Sequence, residues 1–325
     1  MNFRLCLLAS CFNSYFEGNY DIIFRSRSRI TEEKDNLLVY DCFFEGLSQS
    51  AIYYYGSTIN LVVCDCMFYS CLSSLNGGGI YFSCSNGGIV LDRVCGFQCY
   101  STSSSSSYGQ FCNTLTGDNI HEYHYVSIRS CPSTGSSRYC SLWIGNGNQK
   151  LYSVNQSMNS CYCVASFQSL FSQSLQSQFC TVSNNIAIDN QIINCHGGAN
   201  RQIKYCNVVH NVSPQVGIVF IWEGAACVMD QCVFLSNTGT LFNIGSGTLQ
   251  IKNSFITHSG TTTVNSVILS NNTKAISSYS VSYFETNQCK AFCSIGHRVC
   301  IQTNARFNKI TQFYFVIVLI SIMGE

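Results

Sequence analysis

The chain contains few charged residues. Only 16 of its 325 residues are acidic and 17 are Lys or Arg, so charged side chains make up 10% of the sequence. An ordinary soluble domain has roughly 25%. The formal net charge is +1, which provides no attraction for nucleic acid or for an anionic lipid surface. We therefore predict no nucleic-acid partner.

Proline is also scarce, and the residue types that are abundant do not favour helices. The chain has only 2 prolines, whereas hydrophobic residues reach 46% and aromatic residues 13%. Aromatic and β-branched residues favour strands over helices. The apolar content is too high for a disordered chain. The composition therefore predicts an all-β protein.

The 22 cysteines include no Cys-x-x-Cys pair, which excludes the knuckles of a zinc ribbon. The closest pairs are Cys64-x-Cys66 and Cys161-x-Cys163. Residues two apart in a strand point to the same face, so these pairs indicate core positions or links to neighbouring strands. We interpret the cysteines as mostly buried thiols, since unpaired cysteine packs as a small hydrophobe. Several disulfides are the alternative.

A short step, Cys-x-Phe, recurs through the chain at intervals of 21 to 29 residues. Periods of this size suit one coil of a solenoid each. Asn replaces Cys in one repeat, and Val replaces Phe in another. The predicted ladder positions are Cys42, Phe44, Cys66, Phe68, Cys95, Phe97, Cys206, Cys232, Phe234, Asn253 and Phe255.

The segments between these anchors alternate apolar and polar residues, as half-buried strands do. Glycine-rich clusters such as Asn76–Gly79 and Gly245–Gly247 separate them and favour sharp corners. The pattern predicts a right-handed parallel β-helix over residues 1–309, irregular and rich in loops at about 101–178. Residues 310–325 form an apolar tail that could be a short helix.

Two recurring tetrapeptide motifs support the prediction of a β-helix. Phe234-Leu235-Ser236-Asn237 and Phe284-Glu285-Thr286-Asn287 match Phe-x-x-Asn, and Gly78-Gly79-Ile80-Tyr81 and Gly87-Gly88-Ile89-Val90 match a Gly-Gly-Ala-Ile-like motif. The chain resembles the polymorphic membrane proteins of chlamydiae and, through its cysteine content, the similar surface proteins of trichomonad parasites. The resemblance implies a β-helical ectodomain at a cell surface, with an adhesin-like or coat role.

Signals for membranes and export are incomplete. The apolar run Phe313–Met323 has 11 residues, against about 20 for a membrane span, so we interpret it as a truncated anchor or a final buried element. Residues 1–12 have the order of a signal peptide, or they form a partial first coil. The sequons at Asn155, Asn211 and Asn271 would carry glycans only if the chain is exported.

Candidate chemistry is sparse. Asp41 and Asp65 each precede a ladder cysteine, so on adjacent coils they could stack about 5 Å apart and bind a cation, or simply be solvated. His121 and His124 are three apart rather than in the zinc spacing His-Glu-x-x-His. No phosphate-binding loop or dinucleotide fingerprint occurs. We predict no catalytic, cofactor-binding or metal-binding residue.

The sequence thus favours a non-enzymatic cell-surface β-helix that binds through repeated contacts along its face. Its partners would be host-cell or extracellular glycans or proteins, with membrane association through Phe313–Met323. The alternatives are a secreted polysaccharide-active β-helix, which would need a pair of carboxylates across a groove, and an intracellular repeat scaffold.

Overall fold

The computed structural model describes residues 12–18, 20–31, 34–102, 108–132, 139–198, 200–258, 263–264 and 267–272. Nearly all regular structure in these ranges is parallel β-sheet. Strands separated by one coil of chain pair in register, and three long sheets run the length of a solenoid. The predicted parallel β-helix is confirmed. The apolar tail at 310–325 lies outside the described residues.

Each coil passes through the three sheets in the same order. Sheet 1 has eleven strands, which are Asp21–Phe24, Asn36–Tyr40, Asn60–Cys64, Ile89–Asp92, Ile120–His124, Asn148–Tyr152, Ser174–Gln178, Arg201–Lys204, Ala225–Asp230, Gly247–Lys252 and Val267–Ser270. Most of its strands are four or five residues long. Buried and accessible side chains alternate in strands such as Asn148–Tyr152 and Ala225–Asp230, whereas Asn60–Cys64 and Ile89–Asp92 are buried almost throughout.

Sheet 2 follows after a sharp corner. Its strands are Phe43–Glu45, Met67–Tyr69, Cys95–Phe97, Ser127–Arg129, Asn155–Ser157, Thr181–Ser183, Asn207–Val209, Val233–Gly239 and Phe255–His258. After a second corner come two-residue strands that pair between coils, which are Leu72–Ser73, Tyr100–Ser101, Ser160–Cys161, Ile186–Ala187 and Val212–Ser213. The long strand Val233–Gly239 pairs with strands on both sides of that corner.

Sheet 3 closes the coil. Its nine strands are Ile52–Gly56, Ile80–Cys84, Cys112–Thr116, Leu142–Gly145, Phe167–Leu170, Gln191–His196, Gly217–Trp222, Phe242–Ile244 and Thr263–Val264. The stretch 101–178, for which we expected irregular structure, supplies strands to all three sheets. Its regularity is hidden in the sequence because Val126 and Val154 occupy the ladder position that Cys42 and Cys66 hold elsewhere.

The first corner, between sheets 1 and 2, explains the recurring cysteine. The residue before it has a left-handed backbone, as at Asp41 (φ 51°) and Tyr205 (φ 55°). The backbone N–H of Cys180 donates to Sγ of Cys206 at 3.4 Å, and Cys42 donates to Cys66 in the same way at 3.5 Å. Where the next coil has cysteine at this corner, its sulfur accepts the backbone N–H, and where it has valine the side chain only fills the space.

Two predicted repeats are out of alignment by one residue. Cys95 pairs with Met67, so Val94 is the corner residue. Phe255 pairs with Val233, and Ser254 accepts the N–H of Cys232 at 3.1 Å, so Ser254 rather than Asn253 replaces cysteine. A slip of one residue reverses the face of a strand side chain. Hence Phe97 stacks on Tyr69 at 5.7 Å outside the core, and Asn253 is exposed.

The remaining ladder residues lie where the sequence predicts. Phe44 and Phe68 are fully buried and stack with ring centroids 4.9 Å apart, and Phe234 is equally buried. Cys232 aligns with Cys206 because Val233 pairs with Asn207. Cys95 differs from these core thiols, since it is disulfide-bonded.

The second corner carries a ladder that the Cys-x-Phe pattern does not reveal. Its rungs are Cys71, Cys99, Cys131, Asn159, Asn185, Asn211 and Asn237, of which the four asparagines are at most 2% exposed. Asn185 Oδ1 accepts both the backbone N–H and the side-chain N–H of Asn159 at 3.0 Å. Its Nδ2 donates to Gln156 O at 2.9 Å and to Asn211 Oδ1 at 3.0 Å. Every donor and acceptor of this amide is therefore paired.

The first described residues pack on the outer surface of sheet 1. Phe12 is fully buried against Leu38, Val62 and Val90, and its ring stacks on Tyr20 at 4.6 Å. The end of the predicted signal segment is thus part of the folded rod in this structure.

The Asn ladder generates a test of stability. Asn185→Ala should lower the free energy of unfolding by about 3–4 kcal/mol, because the partners in Asn159 and Asn211 lose bonds in a buried site. Asn185→Cys should cost less, since cysteine occupies the same position at Cys131. Denaturant unfolding measures both. The exposed control Gln176→Ala should change stability by less than about 0.5 kcal/mol; an equal loss in the control would contradict the ladder's role.

Candidate functional site

Charge is distributed unevenly around the rod. None of the nine described strands of sheet 3 contains Asp, Glu, Lys or Arg. Sheet 1 carries charged side chains in most of its strands, including Glu122, Lys150 and Asp230. Since the strands stack in register, the two surfaces remain chemically different along the whole rod.

The outward side chains of sheet 3 form two rows parallel to the rod axis. In the first row, aromatic rings are interspersed with amides: Tyr53, Tyr81, Asn113, Trp143, Gln168, Asn194, Phe220 and Asn243 are successive partners. The second row contains Tyr55, Leu115, Leu170, His196 and Trp222. We call these two rows the aromatic–amide face.

An open groove lies within the aromatic–amide face and has a volume of about 400 Å³. Six of its eleven lining residues have aromatic rings, namely Tyr81, Tyr108, Tyr139, Trp143, Phe171 and His196. Tyr108 lies against both Tyr139 and Trp143, with ring centroids 4.5 and 5.5 Å apart. The other lining residues are amides and leucines, so the groove can hold a ligand by ring contacts and hydrogen bonds but offers no charged partner.

Three exposed or half-buried rings pack closely against glycines. A Cβ added to Gly245 would come 1.9 Å from Trp222, and one added to Gly197 would come 2.5 Å from Phe171. Gly145 has the same relation to Trp143 in its own strand, at 2.8 Å. The missing side chain lets each ring approach the backbone. Phe171 and Trp222 remain 53% and 40% exposed, so their outer faces are open to a ligand.

The carboxylates that the sequence singled out are held by arginines. Asp41 pairs with Arg25 at 3.0 Å, and Asp65 pairs with Arg93 at 2.8 Å. Arg93 also contacts Asp92 at 2.5 Å, because its left-handed backbone (φ 53°) turns the side chain back over the strand. Burial raises the pKa of the Asp92 carboxyl. Each of these carboxylates thus has an arginine partner, and none belongs to a strand of sheet 3.

The histidine pair is divided between the inside and the outside of the coil. His121 is fully buried, and its Nε2 lies 2.8 Å from Thr116 Oγ1 and 3.1 Å from Gly145 O. His124 lies outside, where its Nε2 is 3.3 Å from Glu122. Within the described ranges, no cluster of three or more His, Cys, Asp or Glu side chains has metal-site geometry.

Two of the three sequons are buried. Asn211 is a rung of the Asn ladder, and Asn155 is only 2% exposed. A glycan on Asn211 would destroy four hydrogen bonds of the amide, so the folded rod excludes it. Asn271 is exposed, and it remains the one predicted acceptor site that the fold leaves accessible.

The apolar run Phe313–Met323 lies outside the described residues. Among the residues that the structure describes, no helix combines the length and apolar character of a membrane span. Neither a protein-family model, nor a curated protein, nor a solved structure matches the chain.

The aromatic–amide face was not identified from the sequence. The two tryptophans, Trp143 and Trp222, offered a signal: they are the only ones in the chain, and both lie in uncharged segments that end near a glycine. Recognising that they share a surface requires the coil register, which the Cys-x-Phe anchors do not give for residues 108–177.

His121 generates a pH prediction. Burial lowers its pKa to about 3 from the usual 6.5, so the unfolded chain binds a proton that the folded chain excludes. Stability is therefore full above pH 6.5 and falls as the pH drops below that value. From pH 7 to pH 5 this group should remove about 2 kcal/mol.

Urea unfolding at both pH values should show this loss in the parent chain and a smaller one in His121→Gln, because glutamine does not titrate. Gln176→Ala, which removes an exposed side chain that does not titrate, is the control and should keep the parent's pH dependence. An unchanged pH dependence in His121→Gln would refute the assignment.

Proposed function

We propose that this protein is a non-enzymatic β-helix of the cell surface, which acts in an adhesin-like or coat role by holding an extended ligand along its aromatic–amide face. The observation that carries the proposal is the contrast between sheet 3, whose nine strands lack charged residues, and the charged outer surface of sheet 1.

The rod geometry suits this role. Successive coils repeat about every 4.8 Å, so equivalent side chains offer equivalent contacts at a constant spacing. Many weak contacts in series hold an extended partner without requiring a deep pocket. The backbone hydrogen bonds between coils keep the contact residues in fixed positions, which lowers the entropic cost of binding.

Display at a surface is supported by the motif resemblance and by the low charge of the chain. Phe234 and Asn237, which belong to one Phe-x-x-Asn motif, provide a core ring and a rung of the Asn ladder. The motif therefore has a structural role that a surface-displayed β-helix would use in every coil. In this proposal Phe313–Met323 provides the membrane association.

The residues that line the groove favour a binding role over an enzymatic one. A glycoside hydrolase needs two carboxylates across its groove, whereas the eleven residues that line the groove on sheet 3 include none. Asp41 and Asp65 are both occupied by arginines on other parts of the coil. If the chain released sugars from a polysaccharide and Asp65→Ala abolished the release, the non-enzymatic proposal would fail.

Localisation can be tested on intact cells. An antibody raised against residues 180–258 should label unpermeabilised cells of the source organism as strongly as permeabilised ones. An antibody to an abundant cytoplasmic protein provides the control for membrane integrity. Labelling that appears only after permeabilisation would favour the intracellular scaffold instead.

The use of the face can be tested with a matched pair of charge insertions. Gln168→Lys places a charge within the groove, whereas Gln176→Lys places it on the outer surface of sheet 1. Beads coated with the parent chain or with Gln176→Lys should adhere to target cells, and Gln168→Lys beads should lose most adhesion because a desolvated lysine is costly. Equal adhesion of both variants would contradict the assigned face.

A further inference from the structure

We infer that the ligand of the aromatic–amide face is an uncharged oligosaccharide chain, which lies along the rod axis with sugar rings on Trp143, Phe171 and Trp222. The inference rests on the proposed function and names the chemical class of its ligand. It comes from four features of the face: exposed rings, their spacing along the rod, the amides between them, and the absence of charged residues from the strands of sheet 3.

The exposed rings are the first feature. Phe171 and Trp222 pack over Gly197 and Gly245 and remain 53% and 40% exposed. Trp222 also stacks on Phe220, with ring centroids 5.6 Å apart and ring planes 22° apart, so its exposed surface is the side turned away from Phe220. The C–H groups on one side of a pyranose ring are weakly positive and pack on the negative face of such a ring.

The spacing of the rings is the second feature. Trp143 and Phe171 belong to neighbouring coils, and Trp222 lies two coils further on. At one strand spacing per coil, the three rings extend over about 14 Å along the rod. A short oligosaccharide in an extended conformation covers this length, with its successive rings available for successive platforms.

Amides occupy the positions between the rings. Gln168 and Asn194 separate Trp143 from Phe220 in the first row, and Asn243 follows. A primary amide both donates and accepts hydrogen bonds, as a sugar hydroxyl does. Gln168 and Asn243 are half-buried and can present these groups to a ligand, whereas Asn194 is only 5% exposed. Rings that pack on C–H faces and accessible amides together match the two kinds of surface that a neutral sugar presents.

Other occupants fit less well. The described strands of sheet 3 contain no Lys or Arg for an anionic sugar, phosphate or nucleic acid. An extended peptide would add to an open strand edge, but along the side of the rod each inner strand already pairs with both neighbours. The face also lacks the continuous aliphatic surface that a lipid would need.

The tryptophans provide a direct measurement. Both tryptophans of the chain lie on this face, so intrinsic fluorescence reports on it without labels. We would titrate the full chain with cellohexaose, laminarihexaose, maltohexaose and chitohexaose, and with oligogalacturonate of equal length as the charged control. A saturable change in emission with at least one neutral hexasaccharide, and none with oligogalacturonate, is the expected result.

Variants then locate the site. Trp222→Ala and Phe171→Ala should each weaken binding by about fivefold to tenfold, the loss expected for one aromatic stacking contact. Gly245→Ala should weaken it as well, because the added methyl group lifts Trp222 from its place without removing it. Trp222→Tyr should restore most of the affinity. Tyr125→Ala, an exposed ring away from sheet 3, should bind as the parent does.

Three outcomes would overturn the inference: no response to any neutral hexasaccharide, equal or stronger binding of oligogalacturonate, or full affinity in both alanine variants with unchanged thermal stability. If the fluorescence titration shows no response, but intact cells are labelled and Gln168→Lys abolishes adhesion, then the sugar ligand is rejected and the binding role stands. Loss of surface labelling with intact sugar binding would reject the surface role alone.

Discussion

The register of the coils from Asn159 to Asn237 depends on a buried amide that makes four hydrogen bonds at the second corner, a position that Cys71, Cys99 and Cys131 occupy in the preceding coils. Asn185 accepts twice from Asn159 and donates to Gln156 and Asn211, and Asn211 repeats the arrangement 26 residues later. A sharp turn normally leaves backbone groups unpaired, and burying them would be costly. The side-chain amide takes their place and ties each coil to the next. Each rung satisfies its neighbour, so the coils must stack in register.

Register then determines what the outer surface can be. Once the corners are aligned, every strand position forms a row along the rod, and a row keeps its chemistry if the sequence keeps its residue type. Sheet 1 carries ion pairs between neighbouring strands, such as Lys150 with Glu122. Sheet 3 keeps rings and amides and has glycine where a ring packs closely on the backbone, as Gly245 does against Trp222. The proposed ligand follows from this row chemistry.

The fold could be predicted because core positions recur in sequence. Cys42, Cys66, Cys206 and Cys232 all occupy the first corner as the Cys-x-Phe step indicates. The predicted alignment is wrong at Cys95 and Asn253, because Val94 and Ser254 occupy the first corner in those coils. The corner therefore cannot be located in the sequence from residue type alone. In the structure, the residue with a left-handed backbone before each corner identifies the corner better. It gives no signal in the sequence, because Asp41, Tyr205 and Gln231 have different types of side chain. The aromatic–amide face requires register between coils, which a single sequence does not provide where the anchors disappear.

Hydrogen exchange at the corner tests the central claim most directly. The backbone N–H groups of Asn159, Asn185 and Asn211 each donate to a side-chain oxygen of the next coil at 3.0 Å. If the ladder holds the coils together, these turn amides exchange as slowly as strand amides such as that of Val208, and only through global unfolding. Corner amides that exchange rapidly while the strands stay protected would show that the strands hold the rod without the ladder.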